Sequence, residues 1–313
     1  MPEILRPMST GELMDRTLGL YKKNFKLFVG IASVGPATHL VFQLLTVSSS
    51  SLRADNPERV SPLSAAGLGF GFLAGFLIML AGMAIAHAAT VRAVAAVHLG
   101  QPITIWEAYK SLKGRLWRVL GVFVCEMLLA ALAALVAILI IVVVVLMLRT
   151  LFEGLSREAA PLAGFAVLGA ALVVLVAAMI IWVRYALAIA CCVVEDLGVI
   201  KSIKRSSALS RGSRFRIFLV YIVFLILAVL AGAALGALAG GLGTLIPNVP
   251  TRLVLIYLAG FLAGLVTGPL ATIGIALVYY DERVRKEAFD LQVMMGDLDL
   301  PSSTSGAPVP IQS

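Results

Sequence analysis

Six long apolar runs, separated by short polar segments, dominate the pattern of the chain. Each run is longer than the ~20 residues with which an α-helix crosses the hydrocarbon core of a bilayer. The predicted spans cover residues 25–47, 63–99, 116–148, 161–194, 215–246 and 253–280. The pattern therefore predicts an all-α, polytopic integral membrane protein with six transmembrane helices. Gly35-Pro36 in the first span and Pro269 in the sixth should kink their helices.

The polar segments before the first, third and fifth spans have helical periodicity. Ser9 with Glu12, and Thr104 with Glu107, fit the capping box that starts a helix. The apolar faces consist of Met14, Leu18, Tyr21 and Phe25 in the first segment, of Trp106, Tyr109, Leu112 and Leu116 in the second, and of Val199, Ile200 and Ile203 in the third. These patterns predict three amphipathic helices that lie in the headgroup region of the membrane.

The chain contains an internal repeat. Phe25, Trp117 and Phe215 begin the odd-numbered spans, and each is followed by a base. One amphipathic helix and two spans form the recurring unit, and the copies should be parallel because each crosses the membrane twice. The units cover residues 9–99, 102–194 and 198–281, within a single membrane domain of residues 1–300, and we expect them to surround a common axis. Residues 301–313, rich in Pro, Ser and Gly, are predicted to be disordered.

Composition supports a membrane protein and argues against several functional classes. Apolar residues make up 60% of the 313 residues and charged residues only 13%, whereas a soluble domain has about 25% charged residues. Bases near the ends of the spans account for the net charge of +8, so we expect no nucleic-acid partner. No metal-ligand spacing and no nucleophile–base pair stands out. We therefore predict no metal, no cofactor and no enzymatic activity.

The bases lie mainly on one side of the predicted membrane. Most belong to the N-terminal segment, to residues 98–118 and 195–216, and to the segment that follows the sixth span. Few lie in the loops on the other side. Cytoplasmic loops are enriched in Lys and Arg. Both termini and the three amphipathic helices are therefore predicted to be cytoplasmic.

Ionisable side chains within the spans are the first candidate site. Arg92, Glu126 and Arg184 are predicted to lie at similar depth below the inner surface, with His87 and His39 slightly deeper. Intramembrane charges are costly and suggest function. One hypothesis is a pocket in which Arg92 and Arg184 bind a lipid phosphate or another anionic head group. The other is an internal clamp of Glu126 with one arginine, while the second reaches the interface. A proton relay is a third hypothesis, and both histidines are compatible with simple packing.

Two runs of glycine recur every four residues in the last two spans. The first run is Gly232, Gly236 and Gly240, and the second is Gly260, Gly264 and Gly268. Small residues at this spacing let two helices approach closely. We predict that the two runs pack against each other, with a permeation seam as the alternative.

Three stretches carry a family resemblance. Residues 279–290 (YYDERVRKEAFD) follow the last span, residues 8–17 (MSTGELMDRT) open the chain, and residues 194–198 (VEDLG) precede a basic run. Together they resemble a family of multi-span prokaryotic membrane proteins named for the membrane domain of glycerophosphoryl diester phosphodiesterase. The resemblance implies a prokaryotic inner (plasma) membrane. The family name comes from members joined to a separate catalytic barrel, which this chain of three histidines is expected to lack, so we expect no phosphodiesterase activity.

These observations favour a non-enzymatic role at the membrane. The leading hypothesis is a scaffold or accessory protein that acts at the inner leaflet, with membrane lipids, anionic ones included, and unidentified proteins as partners. The alternative is a transporter of lipids or small molecules that uses a polar inner cavity near Arg92, Glu126 and Arg184. An intramembrane enzyme is the third hypothesis.

Overall fold

The computed structural model describes residues 7–55, 62–152 and 182–287, together with a few isolated positions between 168 and 180. This part of the chain contains ten α-helices with defined bounds, together with helical residues between 168 and 183, and it contains no strand. The helices are α1 Thr10–Lys23, α2 Phe25–Ala32, α3 Val34–Asp55, α4 Pro62–His98, α5 Ile105–Lys110, α6 Leu116–Phe152, α7 Ala188–Val194, α8 Val199–Leu209, α9 Arg214–Gly243 and α10 Val249–Glu287. The predicted all-α class is confirmed.

Five helical segments are long and apolar enough to cross a membrane. They are Phe25–Ser49, Gly69–His98, Leu116–Met147, Arg214–Gly243 and Val249–Glu287, and they match five of the six predicted spans. In the predicted fourth span, residues 161–194, most of the first part, up to residue 181, lies outside the described residues. At its end, residues 184–187 form a turn before α7. The predicted tail of residues 301–313 also lies outside the described part.

Three helices extend beyond the predicted ends of their spans. In α3, Ser48 and Ser49 donate hydrogen bonds to carbonyl groups one turn back and the helix reaches Asp55, while α6 continues to Phe152. The sixth span was predicted to end at residue 280, and the helix that contains it, α10, continues to Glu287. Ion pairs at i,i+4 spacing, such as Arg285–Asp281 and Lys286–Glu282, stabilise this last part of the helix.

The first span is interrupted at Ser33, in the turn before the predicted Gly35-Pro36. Ser33 lies between α2 and α3, and its hydroxyl donates to the Gly30 carbonyl at 2.8 Å. Pro36 falls in the first turn of α3. Pro36 has no N–H to donate to the carbonyl of Ala32, four residues earlier, where α2 ends, while Ser33 itself keeps helical dihedral angles.

The predicted capping boxes of Ser9 with Glu12 and of Thr104 with Glu107 are both present. The buried face of α1, however, is formed by Leu13, Thr17 and Tyr21, while Phe25, from the predicted face, is 45% exposed. This face packs against α10, where the Tyr21 hydroxyl donates to the Val266 carbonyl at 2.7 Å. α1 is therefore fixed to the last helix of the protein.

The densest core lies towards the base-rich end. It is formed by the second half of α4, by α7 and by the second half of α10, all rich in small or β-branched residues. α3 and α4 are antiparallel and approach closely, because a Cβ on Gly82 would meet Thr38 and a Cβ on Gly75 would meet Phe42. In contrast, large apolar side chains are exposed along much of α6 and α9, as expected for helices that face lipid.

Candidate functional site

Arg92, Glu126 and Arg184, the ionisable residues predicted within the spans, form no hydrogen bond or ion pair with one another among the described residues. The Oε1 atom of Glu126 is buried without a hydrogen-bond partner, and no ion pair involves Glu126 in the described part of the chain. Arg184 lies in the turn before α7, where its Nε donates to the Ser207 hydroxyl at 2.6 Å. Arg92 is exposed. The turn at residues 184–187 directs Arg184 towards α8, so the structure forms no clamp from these residues.

The two glycine runs do not form the predicted contact either. A Cβ on Gly232, Gly236, Gly240, Gly260 or Gly268 would have no neighbouring atom within 4 Å, and one on Gly264 would meet only Pro36 of α3. α9 and α10 do pack on each other, but a different glycine provides the close approach: a Cβ on Gly274 would lie 2.7 Å from Phe224. Phe224 is buried, and its contact with Gly274 lies outside both predicted glycine runs.

A cluster of ionic contacts joins distant parts of the chain. At its centre are two buried carboxylates near the end of α10. Asp281 and Glu282 have fully buried side chains. Arg216, at the start of α9, forms an ion pair with Asp281 and lies 3.3 Å from Glu282. Arg285 and Lys286 pair with the two acids at 2.7 and 3.0 Å. Each buried carboxylate therefore has two cationic partners, as burial of charge requires.

Hydrogen bonds extend this cluster to the start of the chain. The backbone N–H of Met8 donates to Asp281 at 2.6 Å, and Arg216 donates to the Met8 carbonyl at 2.9 Å. The Ser213 hydroxyl donates to Glu282 at 2.6 Å. Segments more than 200 residues apart in sequence are joined in this way, so the cluster fixes α1, α9 and α10 together.

A second group of ionic contacts lies beside the first and involves α8. Arg205 of α8 lies 2.9 Å from Glu195 and also pairs with Glu287 at the end of α10. Arg283 pairs with Glu287 at 3.2 Å, and the Tyr279 hydroxyl donates to Glu195 at 2.8 Å. Burial lowers the pKa of Arg205, but the hydrogen bonds and charges of the two glutamates outweigh it and leave the pKa raised. The predicted basic loop is thus partly neutralised by acids.

A cavity of about 740 Å³ lies at the base-rich end between α1, the start of α2 and the end of α4. Its polar lining residues are Arg16, Lys23, Asn24, His98 and Gln101, and the residues that line it include no acid. Gly100, at φ +73°, lets the chain turn sharply after α4. The cavity therefore presents positive charge and hydrogen-bond donors close to the predicted inner surface.

His98 is the most informative residue of this basic cavity. Its Nδ1 atom is buried and has no hydrogen-bond partner, while its ring stacks at 5.1 Å on Tyr280 of α10. Arg16 lies close enough to influence it electrostatically. A buried ring nitrogen without a partner is costly.

The basic cavity is not evident from the sequence, although Arg16, Lys23 and His98 lie in segments already recognised as basic. They become neighbours only because α1 folds against the ends of α2 and α4. His87, in contrast, belongs to a second cavity in the middle of the spans.

The chain matches no family model, no curated protein and no solved structure. The resemblance of residues 8–17, 194–198 and 279–290 to the membrane-domain family therefore stays a prediction.

Proposed function

We propose that this protein is a non-enzymatic scaffold or accessory protein of the inner leaflet that holds an anionic phospholipid head group in the basic cavity. The observation that carries the proposal is the position of Arg16, Lys23 and His98 around one cavity. Its volume of about 740 Å³ falls within the ~300–1,000 Å³ that ligand pockets occupy. A phosphate with its ester groups matches this mixture of bases and donors.

The orientation and the membrane are part of the same proposal. We place both termini in the cytoplasm of a prokaryote, with six spans in three units, because the basic segments favour that side. Aromatic residues at the starts of α6 and α9 support an interface at this level. Trp117 and Phe215 are 86% and 77% exposed, as expected for rings in the headgroup region.

Native mass spectrometry of the detergent-purified protein tests lipid binding. Phosphatidylglycerol and phosphatidylethanolamine are added in equal amounts, and we expect phosphatidylglycerol to be retained preferentially. Replacing Arg16 and Lys23 with glutamine removes two bases, each worth about 1 kcal/mol near an anionic group, so retention should fall roughly 30-fold.

A matched control removes two bases elsewhere. Lys113 and Lys201 are exposed, and the basic cavity does not include them. Replacing both with glutamine produces the same change in net charge and should leave phosphatidylglycerol retention within twofold of the parent protein. Equal losses in the two double variants would show that net charge, not the cavity, holds the lipid.

The alternative function is a transporter, and it would use the second cavity, which lies near the middle of the spans. The two cavities share no lining residue, which favours separate binding sites over one path. Proteoliposomes loaded with fluorescent phosphatidylglycerol would distinguish the roles. A scaffold should not change the rate of lipid movement between leaflets, whereas a rate that rises with protein density would support transport.

A further inference from the structure

A second cavity, of about 270 Å³, lies between α3, α4 and α10. Its lining includes three polar side chains and three glycines: His39 and Gln43 of α3, His87 of α4, and Gly260, Gly264 and Gly268 of α10. His87 is about eleven residues from the end of α4, which at a rise of ~1.5 Å per residue places it ~16 Å from that end. The cavity is therefore near the middle of the hydrocarbon core.

Three uncharged polar side chains face this intramembrane cavity without protein partners. His39 and Gln43 are one turn apart on α3 and so share a face, and His87 lies across from them. Within the described residues, no hydrogen bond is made by either imidazole or by the Gln43 side-chain amide. Such groups are costly in a bilayer unless something satisfies them.

The glycines of α10 give the cavity its shape. At Gly260 and Gly268 a Cβ would meet open space, while a Cβ on Gly264 would contact Pro36 at 3.5 Å. A methyl group at either of the two outer positions would therefore project beside the cavity without striking the protein. The glycine run of α10 therefore leaves room for the cavity and does not form a close contact with the glycine run of α9.

The cavity selects for an uncharged head group. Its lining residues include no Asp, Glu, Lys or Arg, so a phosphate would be left without a counter-charge. Neutral imidazole and amide groups offer both donors and acceptors, which suits a hydroxyl or a carbonyl. The volume is at the lower end for ligand sites, so it admits a compact head group and leaves a long chain outside.

The cavity opens on the surface that faces lipid. His39, Gly260 and Gly268 are exposed there. We propose that it binds a bilayer-soluble molecule with a compact, uncharged hydroxyl or carbonyl head group. The molecule enters sideways from the bilayer, and His39, Gln43 and His87 hold its head by hydrogen bonds.

A photoreactive hexadecanol that carries a diazirine next to its hydroxyl end tests this proposal in proteoliposomes of the full chain. We expect saturable labelling of peptides from α3, α4 and α10 that excess unlabelled hexadecanol suppresses. Gly268→Leu fills the cavity and should reduce labelling at least tenfold. His87→Leu removes one hydrogen-bonding group and should reduce it roughly fivefold.

Gly236→Leu on α9 is the matched control. Its Cβ also meets open space, and it does not line the cavity, so labelling should stay within twofold of the parent protein. Both leucine variants should elute as the parent does on size exclusion. Equal labelling in Gly268→Leu and Gly236→Leu, or no saturable labelling at all, would overturn the proposal.

A photoreactive phosphatidylglycerol, with its diazirine near the phosphate, tests the charge selectivity of the same cavity. It should label peptides of the basic cavity and not those around His87. Labelling around His87 as strong as that by the alcohol would refute the uncharged head group, without affecting the proposed role of Arg16 and Lys23.

Discussion

Replacing Arg216 with methionine removes the base that contacts both buried carboxylates of the α10 cluster. The Arg216 side chain is 16% exposed and those of Asp281 and Glu282 are fully buried. Loss of one partner from a buried ion pair costs about 3–5 kcal/mol, mostly because a charge stays buried without compensation. Arg285 and Lys286 still pair with the two acids, so we expect a loss near 3 kcal/mol.

Thermal unfolding in detergent, followed with a thiol-reactive dye, measures this effect. Cys191 and Cys192 are buried, so they react when the core opens. For a chain of 313 residues, with an unfolding entropy of about 2 cal/mol/K per residue, 3 kcal/mol corresponds to a fall of roughly 5 °C in the midpoint. Arg118→Met is the matched control because its partner Asp196, at 3.2 Å, is about half exposed. An exposed pair contributes about 0–1 kcal/mol, so this variant should unfold within about 2 °C of the parent protein.

A triple variant separates the buried charge from lost packing. Adding Asp281→Asn and Glu282→Gln to Arg216→Met neutralises the stranded carboxylates and should restore part of the lost stability. The reasoning fails if the triple variant is less stable than Arg216→Met alone, or if Arg216→Met and Arg118→Met are equally stable.

Three further predictions concern packing, pH and topology. Gly274→Ala should lower the free energy of unfolding by about 1–3 kcal/mol, because the added methyl group strikes the buried Phe224. Gly232→Ala, where a Cβ meets open space, should be neutral or stabilising. The same dye assay compares the two variants, and equal unfolding midpoints would contradict the packing of Gly274 on Phe224. Hydrogen bonds from the Thr104 backbone and hydroxyl hold the pKa of Glu107 below its ordinary 4.5. The stabilisation that Glu107 gives to α5 is therefore present above pH 4.5 and is lost as the pH falls through the lowered pKa. Hydrogen exchange of the α5 amides should show this, and Glu107→Gln should remove most of the pH dependence. In a cysteine-free background, a cysteine at exposed Lys204 should react only from the cytoplasmic side and one at exposed Thr251 only from the opposite side; the reverse would overturn the orientation.

Patterns within short stretches of sequence predicted the positions of the long helices and of two helix starts. The second span was expected over residues 63–99 and α4 covers Pro62–His98, because a long apolar run has few competing conformations. Both capping boxes formed, since their partners lie within one turn. Errors at the helix ends came from hydrogen bonds and ion pairs one turn apart, such as those of Ser48 and Arg285, that extend a helix into polar sequence.

The ionic cluster and the basic cavity could not be predicted in this way. Asp281 meets Met8 and Arg216 only after α1, α9 and α10 have packed together, and no periodicity in the sequence encodes that pairing. The glycine runs illustrate the same limit. Their spacing correctly places them on one face of a helix, but the identity of the neighbour depends on how α3, α9 and α10 are arranged.

The bases near the membrane surface serve at two different stages. During insertion, all of them can bias orientation, because acids contribute little to that bias. After folding, Arg283, Arg285 and Lys286 are all paired with carboxylates, so the end of α10 offers little net charge to lipid. Lys22, Lys23 and Lys26 stay exposed around the end of α1. Anionic head groups should therefore concentrate beside the basic cavity, which links the topology of the chain to the position of its proposed lipid site.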